Sequence, residues 1–154
     1  MLRSRLTVAL TALAVAALAM PALSAAGQNT TVTEAKLKGK NEVPGPGSPK
    51  GKGEIAVLLK PTKEKVCFQL EVSKLDPIVA GHIHKGDSET AGAIKVPLFE
   101  DSAGLDGDGS YEGCTKNVKT KLIKKIIKAP EKYYVNIHTE EYPEGAIRGQ
   151  LALA

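Results

Sequence analysis

Tryptophan is absent from this chain, and its six aromatic side chains are four tyrosines and two phenylalanines. So few flat side chains, with lysines scattered along the sequence, leave little with which to stack or read nucleobases, and nucleic acid is set aside as a partner. There is no G-x-S-x-G turn to present a serine nucleophile; "GDSE" at residues 86–89 reads as a polar loop, and nothing in the sequence ties Ser88 to His138. "DGDGS", from Asp106 to Ser110, begins like a calcium loop, yet Asn117 stands where the bidentate glutamate belongs, so a turn is expected. The longest apolar run, Leu6 to Met20, is about 15 residues, short of the roughly 20 that a membrane-spanning helix needs. Histidine is equally scarce: His82, His84 and His138 are all there are.

What is present begins with a leader. Arg3 and Arg5 precede the apolar run, Pro21 interrupts it, and "ALSAAG" supplies small residues with Ser24 and Ala26 placed for cleavage before Gly27. That pattern predicts a signal peptide over residues 1–26 and a single exported domain over 27–154, with no transmembrane span after cleavage; retention as an anchor is the alternative. The leader takes Arg3, Arg5 and both methionines, Met1 and Met20, with it. The remainder carries 19 basic and 17 acidic residues, close to neutral, and offers no thioether to a metal.

Two cysteines, Cys67 and Cys114, fall in the exported part, where an even pair predicts a disulfide with Cα atoms about 5.5 Å apart. In "KVCFQLEVS", Val66, Phe68, Leu70 and Val72 alternate with Cys67, Gln69 and Glu71, so Cys67 is expected off the main apolar face, covered by the segment that carries Cys114. "EIAVLL" and "KVCFQLEVS" flank "KPTKE" as a hairpin, and "KNEVPGPGSPKGKG" is too rich in breakers to be regular. "NVKTKLIKKIIKAP" is the exception to the β pattern. Val118, Leu122, Ile123, Ile126 and Ile127 recur at helical spacing, predicting a short amphipathic helix over 119–129 whose lysine face is solvated or touches an anionic membrane. Seven to nine strands and one helix predict an all-β fold, an antiparallel sandwich or barrel.

Strand parity gives the sharpest expectation. In "GHIHKG", His82 and His84 share a face and Ile83 takes the other; in "YYVNIHT", Tyr134, Asn136 and His138 share a face opposite Val135 and Ile137. If the strands are neighbours, three imidazoles converge on the polar side. A His-X-His pair with a third histidine suits Cu or Zn; a polar seam of structural hydrogen bonds is the other reading. Asn136, Tyr134 and Glu140, or Glu141, are candidates to orient the imidazoles. Arg148 emerges opposite Ile147 and is expected to pair with Glu42 or Glu144, fixing the "NEVP" loop or the last turn.

"LKGKNEVPGPGSPKGKGEI", "HIHKG" and "YYVNIHTEEYPEGAIRGQL", in this order, resemble the successive motifs of the CHRD domain, the domain named for chordin and also found as single-domain exported bacterial proteins. The resemblance spans Thr31 to Ala154. It departs at Pro44-Gly45-Pro46, where the family usually has paired prolines. It implies a secreted Greek-key β-sandwich, somewhat similar in architecture to copper/zinc superoxide dismutase, and it implies no established reaction. In chordin, growth-factor binding is ascribed to other modules, so no ligand carries over. The expected function is a non-catalytic extracellular module that binds a protein, polymer or surface ligand. The alternative is a periplasmic or secreted Cu or Zn protein using the three histidines.

Overall fold

The computed structural model describes residues 29–100 and 105–154; the predicted leader lies outside them. Nine strands are formed among these residues: β1 (Thr31–Lys38), β2 (Lys52–Lys60), β3 (Lys65–Ser73), β4 (Ile78–Lys85), β5 (Ile94–Phe99), β6 (Gly109–Thr115), β7 (Tyr133–Thr139), β8 (Ile147–Gln150) and β9 (Ala152–Leu153). One α-helix, α1 (Thr120–Lys128), precedes β7. All strand pairings are antiparallel and belong to one sheet in the order β5-β4-β7-β8-β1-β2-β3-β6, with β9 beside β1. The sheet curls until its two edges approach: the Thr115 hydroxyl of β6 donates to the carbonyl of Pro97 in β5 at 2.5 Å. The all-β expectation therefore holds, as a nearly closed sheet with one helix.

Alternation builds the core. Val66, Phe68, Leu70 and Val72 of β3 are buried, as are Ile55, Val57 and Leu59 of β2, and they meet Ile83, Val135, Ile137 and Ile147 from the far side of the curl. The β2–β3 hairpin closes at Lys60 opposite Lys65, around a single 3₁₀ turn at Pro61–Lys63. Helix α1 covers one end with Ile123 and Ile126, both fully buried, while Leu122 and Ile127 are half-buried. Lys119 supplies no capping side chain. The Thr120 hydroxyl instead donates to the Pro61 carbonyl at 2.9 Å, anchoring the first turn to the hairpin, and the helix stops one residue short of Ala129-Pro130.

Cys67 and Cys114 form the expected disulfide. They lie directly opposite one another on β3 and β6, so their Cα atoms are 3.9 Å apart rather than about 5.5 Å. Cys67 is buried beneath the exposed Cys114. At a sequence separation of 47, the chain-entropy account assigns the bond about 4 kcal/mol. No described helix is long and apolar enough to cross a membrane.

Candidate metal centre

β4 and β7 are neighbours, with His82 opposite Asn136, His84 opposite Tyr134 and Ala80 opposite His138. That register places all three imidazoles on one face, because Ile83, Val135 and Ile137 are fully buried on the other. The small side chain of Ala80 leaves room for His138 to lean toward its diagonal neighbour His82. The ring centroids of His82 and His138 are 4.9 Å apart, and those of His82 and His84 are 5.6 Å apart. One ring nitrogen from each of the three lies within 4.8 Å of the others.

The histidine face is covered rather than open to solvent. His82 is 7% exposed and His84 is 9% exposed. Loops fold over this face of the sheet, and their carbonyls meet the rings. His84 Nδ1 donates to the Gly92 carbonyl at 2.8 Å, and His138 Nδ1 donates to the Pro143 carbonyl at 2.9 Å. Gly92 can reach this position because it has no side chain: a Cβ there would stand 1.7 Å from the Lys85 carbonyl oxygen. The Glu100 carboxylate lies 3.2 Å from His82 Nε2.

These contacts assign the protons. A carbonyl only accepts, so His84 and His138 each carry their proton on Nδ1 and leave Nε2 bare. His84 Nε2 is buried and has no partner among the described residues. His82 then faces two demands: Nε2 toward a carboxylate, and Nδ1 at 3.1 Å from the bare His138 Nε2. Four contacts each require a hydrogen, and three neutral imidazoles carry three. The cluster is short of one positive charge, which either an added proton or a metal ion supplies. Burial also works against an added proton: it holds His84 below the usual imidazole range and His138 down at about 4, outweighing the bonds to Gly92 and Pro143 that favour the charged ring.

Of the residues expected to orient the imidazoles, Tyr134 does so. Its ring stacks on His84 with centroids 4.8 Å apart and planes 11° from parallel, and its hydroxyl accepts from the Gly92 amide at 3.0 Å. Asn136 does not reach the histidines; it donates from Nδ2 to Glu42 Oε2 at 2.8 Å. Glu140 and Glu141 are both exposed. Glu100 takes the role foreseen for them, from the end of β5, a segment with no distinguishing motif.

Arg148 also differs from its expectation. It bonds neither Glu42 nor the exposed Glu144. Its guanidinium lies 3.4 Å over the Tyr134 ring, and Nη2 donates to the carbonyls of Asp87 and of Thr90, the latter at 3.1 Å. The loop over β7 and β8 brings the carbonyls of Asp87 and Thr90 to Nη2, while Nη1 is buried without a partner among the described residues. Arginine, tyrosine and histidine thus form three layers ending at the candidate centre. Glu42, 8% exposed, is pushed up to about 8 by burial, against the pull of the nearby Arg148 charge and the Asn136 bond. No motif in the sequence marks either arrangement.

Residues 33–151 match the CHRD domain family. No curated protein and no solved structure gives a significant match.

Proposed function

The chain belongs to the CHRD domain family, and from that premise we propose that it is an exported binding domain whose ligand on this face is a divalent transition-metal ion, Cu(II) or Zn(II), held by His82, His84 and His138. The observation that supports this reading is the proton count: two rings fixed by carbonyls turn bare nitrogens inward, and the third cannot satisfy both neighbours without an extra cation. Oxygen acceptors on the outer ring nitrogens are the usual surroundings of metal-bound imidazole. Tetrahedral ligands about 2.0 to 2.1 Å from a metal stand roughly 3.4 Å apart, so the 3.1 Å pair is already close, and a small ring rotation draws in the widest pair. With only imidazoles to offer, the site suits Cu(II) or Zn(II) over softer ions, and it leaves a fourth position to water or an anion. Export is supported by the disulfide and by the leader pattern.

Calorimetric titration of the metal-free protein with each ion tests the reading. One ion per chain is expected, with tight binding lost in His84→Ala and circular dichroism unchanged. Binding that is absent, or equal in wild type and variant, refutes it.

A further inference from the structure

Lysines that look scattered in sequence are gathered by the fold. Segments 60–65 and 116–132 carry ten lysines against two acids, Glu64 and Glu131, whereas the rest of residues 27–154 holds nine basic and 15 acidic side chains. The two segments meet at one end of the curled sheet. Val118 N donates to the Glu64 carbonyl at 2.9 Å, and the Thr120 hydroxyl donates to the Pro61 carbonyl. A nearly neutral domain is therefore polarised, with an excess of about eight positive charges at the helix end and about six negative elsewhere.

The helix itself bears an unusual burden. Its exposed face is Lys121, Lys124, Lys125 and Lys128, with no acidic residue anywhere between Thr120 and Lys128. These lysines stand three and four residues apart, the spacings at which like charges repel and weaken a helix. A face that served only solubility would gain from alternating signs. Among the described residues the ion pairs are Lys36–Glu54 and His82–Glu100, neither at this end. Of the two acids present, Glu64 turns its carboxylate to the amide and hydroxyl of Thr120. The repulsion is left for something outside the chain to relieve.

A second observation indicates what that is. Thr31, the first residue of β1, pairs with Leu59, next to Lys60, so the polypeptide preceding β1 joins the domain at this same end. That polypeptide contains the apolar run Leu6–Met20. The lysine-rich end is therefore also the end at which β1 begins.

We propose that the lysine-rich end, centred on α1, is a docking surface for an anionic phospholipid bilayer. Each lysine near an anionic bilayer contributes about a factor of five in binding, screened by salt. The buried Ile123 and Ile126 keep the helix on the sheet, so the contact is electrostatic and at the headgroups, without insertion. The surface is separate from the histidines and stands or falls independently of the metal.

Co-sedimentation of the exported protein with vesicles tests it, comparing phosphatidylcholine alone with equal parts phosphatidylcholine and phosphatidylglycerol. Binding is expected to the anionic vesicles, falling steeply with added salt. The combined change Lys121→Gln, Lys124→Gln, Lys125→Gln and Lys128→Gln is expected to weaken it about 100-fold or more. Removing the same charge at the opposite end, with Lys38→Gln, Lys40→Gln, Lys50→Gln and Lys52→Gln, is expected to change it by no more than a few-fold. Equal loss in the two variants, equal sedimentation with phosphatidylcholine alone, or no binding to anionic vesicles at low salt overturns the proposal. So does capture by soluble polyphosphate without capture by vesicles, which makes the occupant a polymer.

Discussion

The outer face of β4, β7 and β8 buries two polar clusters side by side, and they resolve their charge in opposite ways. In the histidine cluster, every outer ring nitrogen meets an oxygen and the inner nitrogens are left with one hydrogen too few. In the Glu42–Asn136–Arg148 cluster Asn136 bonds Glu42 and backbone carbonyls accept from Arg148, while Glu42 Oε1, Asn136 Oδ1 and Arg148 Nη1 lie buried without partners among the described residues, and burial keeps the carboxyl protonated near neutrality. Both are covered by loops, both sit on the same strands, and Tyr134 touches both. Burial alone therefore does not make a ligand site. Unpartnered atoms alone do not either, since the second cluster holds three; what distinguishes the first is one ring nitrogen from each of three imidazoles gathered within 4.8 Å, while the second carries its mismatch as a protonated carboxyl.

The largest expected effect comes from filling the first cluster. Cu(II) or Zn(II) at about a thousand times its dissociation constant should raise the unfolding free energy by about 4 kcal/mol, measured by denaturant melts with and without the ion. His84→Ala should remove that gain. If the ion stabilises the variant equally, the histidines are not the binding site, and the contrast between the clusters collapses.

Breaking the second cluster should cost less. Arg148→Lys gives up the stacking on Tyr134 and one of the two carbonyl bonds from Nη2, and a loss of about 1 to 3 kcal/mol is expected in chemical denaturation of the metal-free protein. An unchanged midpoint would show that the arginine layer is dispensable.

Protonation separates the clusters by sign. Glu42 has a folded pKa near 8, above its ordinary 4.5, so between those values the folded chain keeps a proton that the unfolded chain has lost. Its contribution is fully present below about pH 4.5 and is lost as pH rises through 8. His138, at about 4 when folded against 6.5, does the reverse: the unfolded chain holds the extra proton, and stability rises with pH across that interval. The two slopes oppose each other from 4.5 to 6.5, and above 6.5 Glu42 acts alone. Metal-free protein should therefore lose stability between pH 6.5 and 8, and Glu42→Gln should flatten that decline, gaining on the order of 1 to 2 kcal/mol at pH 8. A decline of equal steepness in the variant assigns it to another group.

The smallest effect is expected at Glu100, whose side chain is 57% exposed. Glu100→Gln keeps the shape while weakening the hold on His82, so metal affinity should fall about 10-fold with the metal-free melt unchanged. Unaltered affinity would make Glu100 a bystander and leave the two carbonyls as the groups that set the cluster apart.

How much of this was legible beforehand follows from the range of each signal. Alternation is local, so the faces of His82, His84 and His138, the β2–β3 hairpin, the helix and the covered position of Cys67 could all be read from neighbouring residues. The adjacency of β4 and β7 is not local, and it was an assumption until the sheet order settled it. The covering of the histidine face was out of reach for a related reason. Parity tells which side of a strand a residue takes, but it does not tell whether a loop from elsewhere folds over that side. The carbonyls of Gly92 and Pro143, the carboxylate of Glu100 and the partners of Arg148 all arrive that way. Arginine was matched to carboxylates by charge, when backbone oxygens in a covering loop were the nearer acceptors.

The seam where the sheet nearly closes has its own consequence. β6 pairs along its length with β3, and among the described residues its hydrogen bond toward β5 is the one from Thr115 to Pro97. Backbone left open in this way invites a strand from another molecule, the route to domain exchange and fibre growth. Cys114 is in that strand, covalently tied to its neighbour, so β6 cannot swing out to recruit a second chain without first being reduced. In an oxidising compartment the bond thus acts as a latch against self-assembly. Under reducing conditions amide exchange should quicken first in β6, and oligomers should appear before the core has melted.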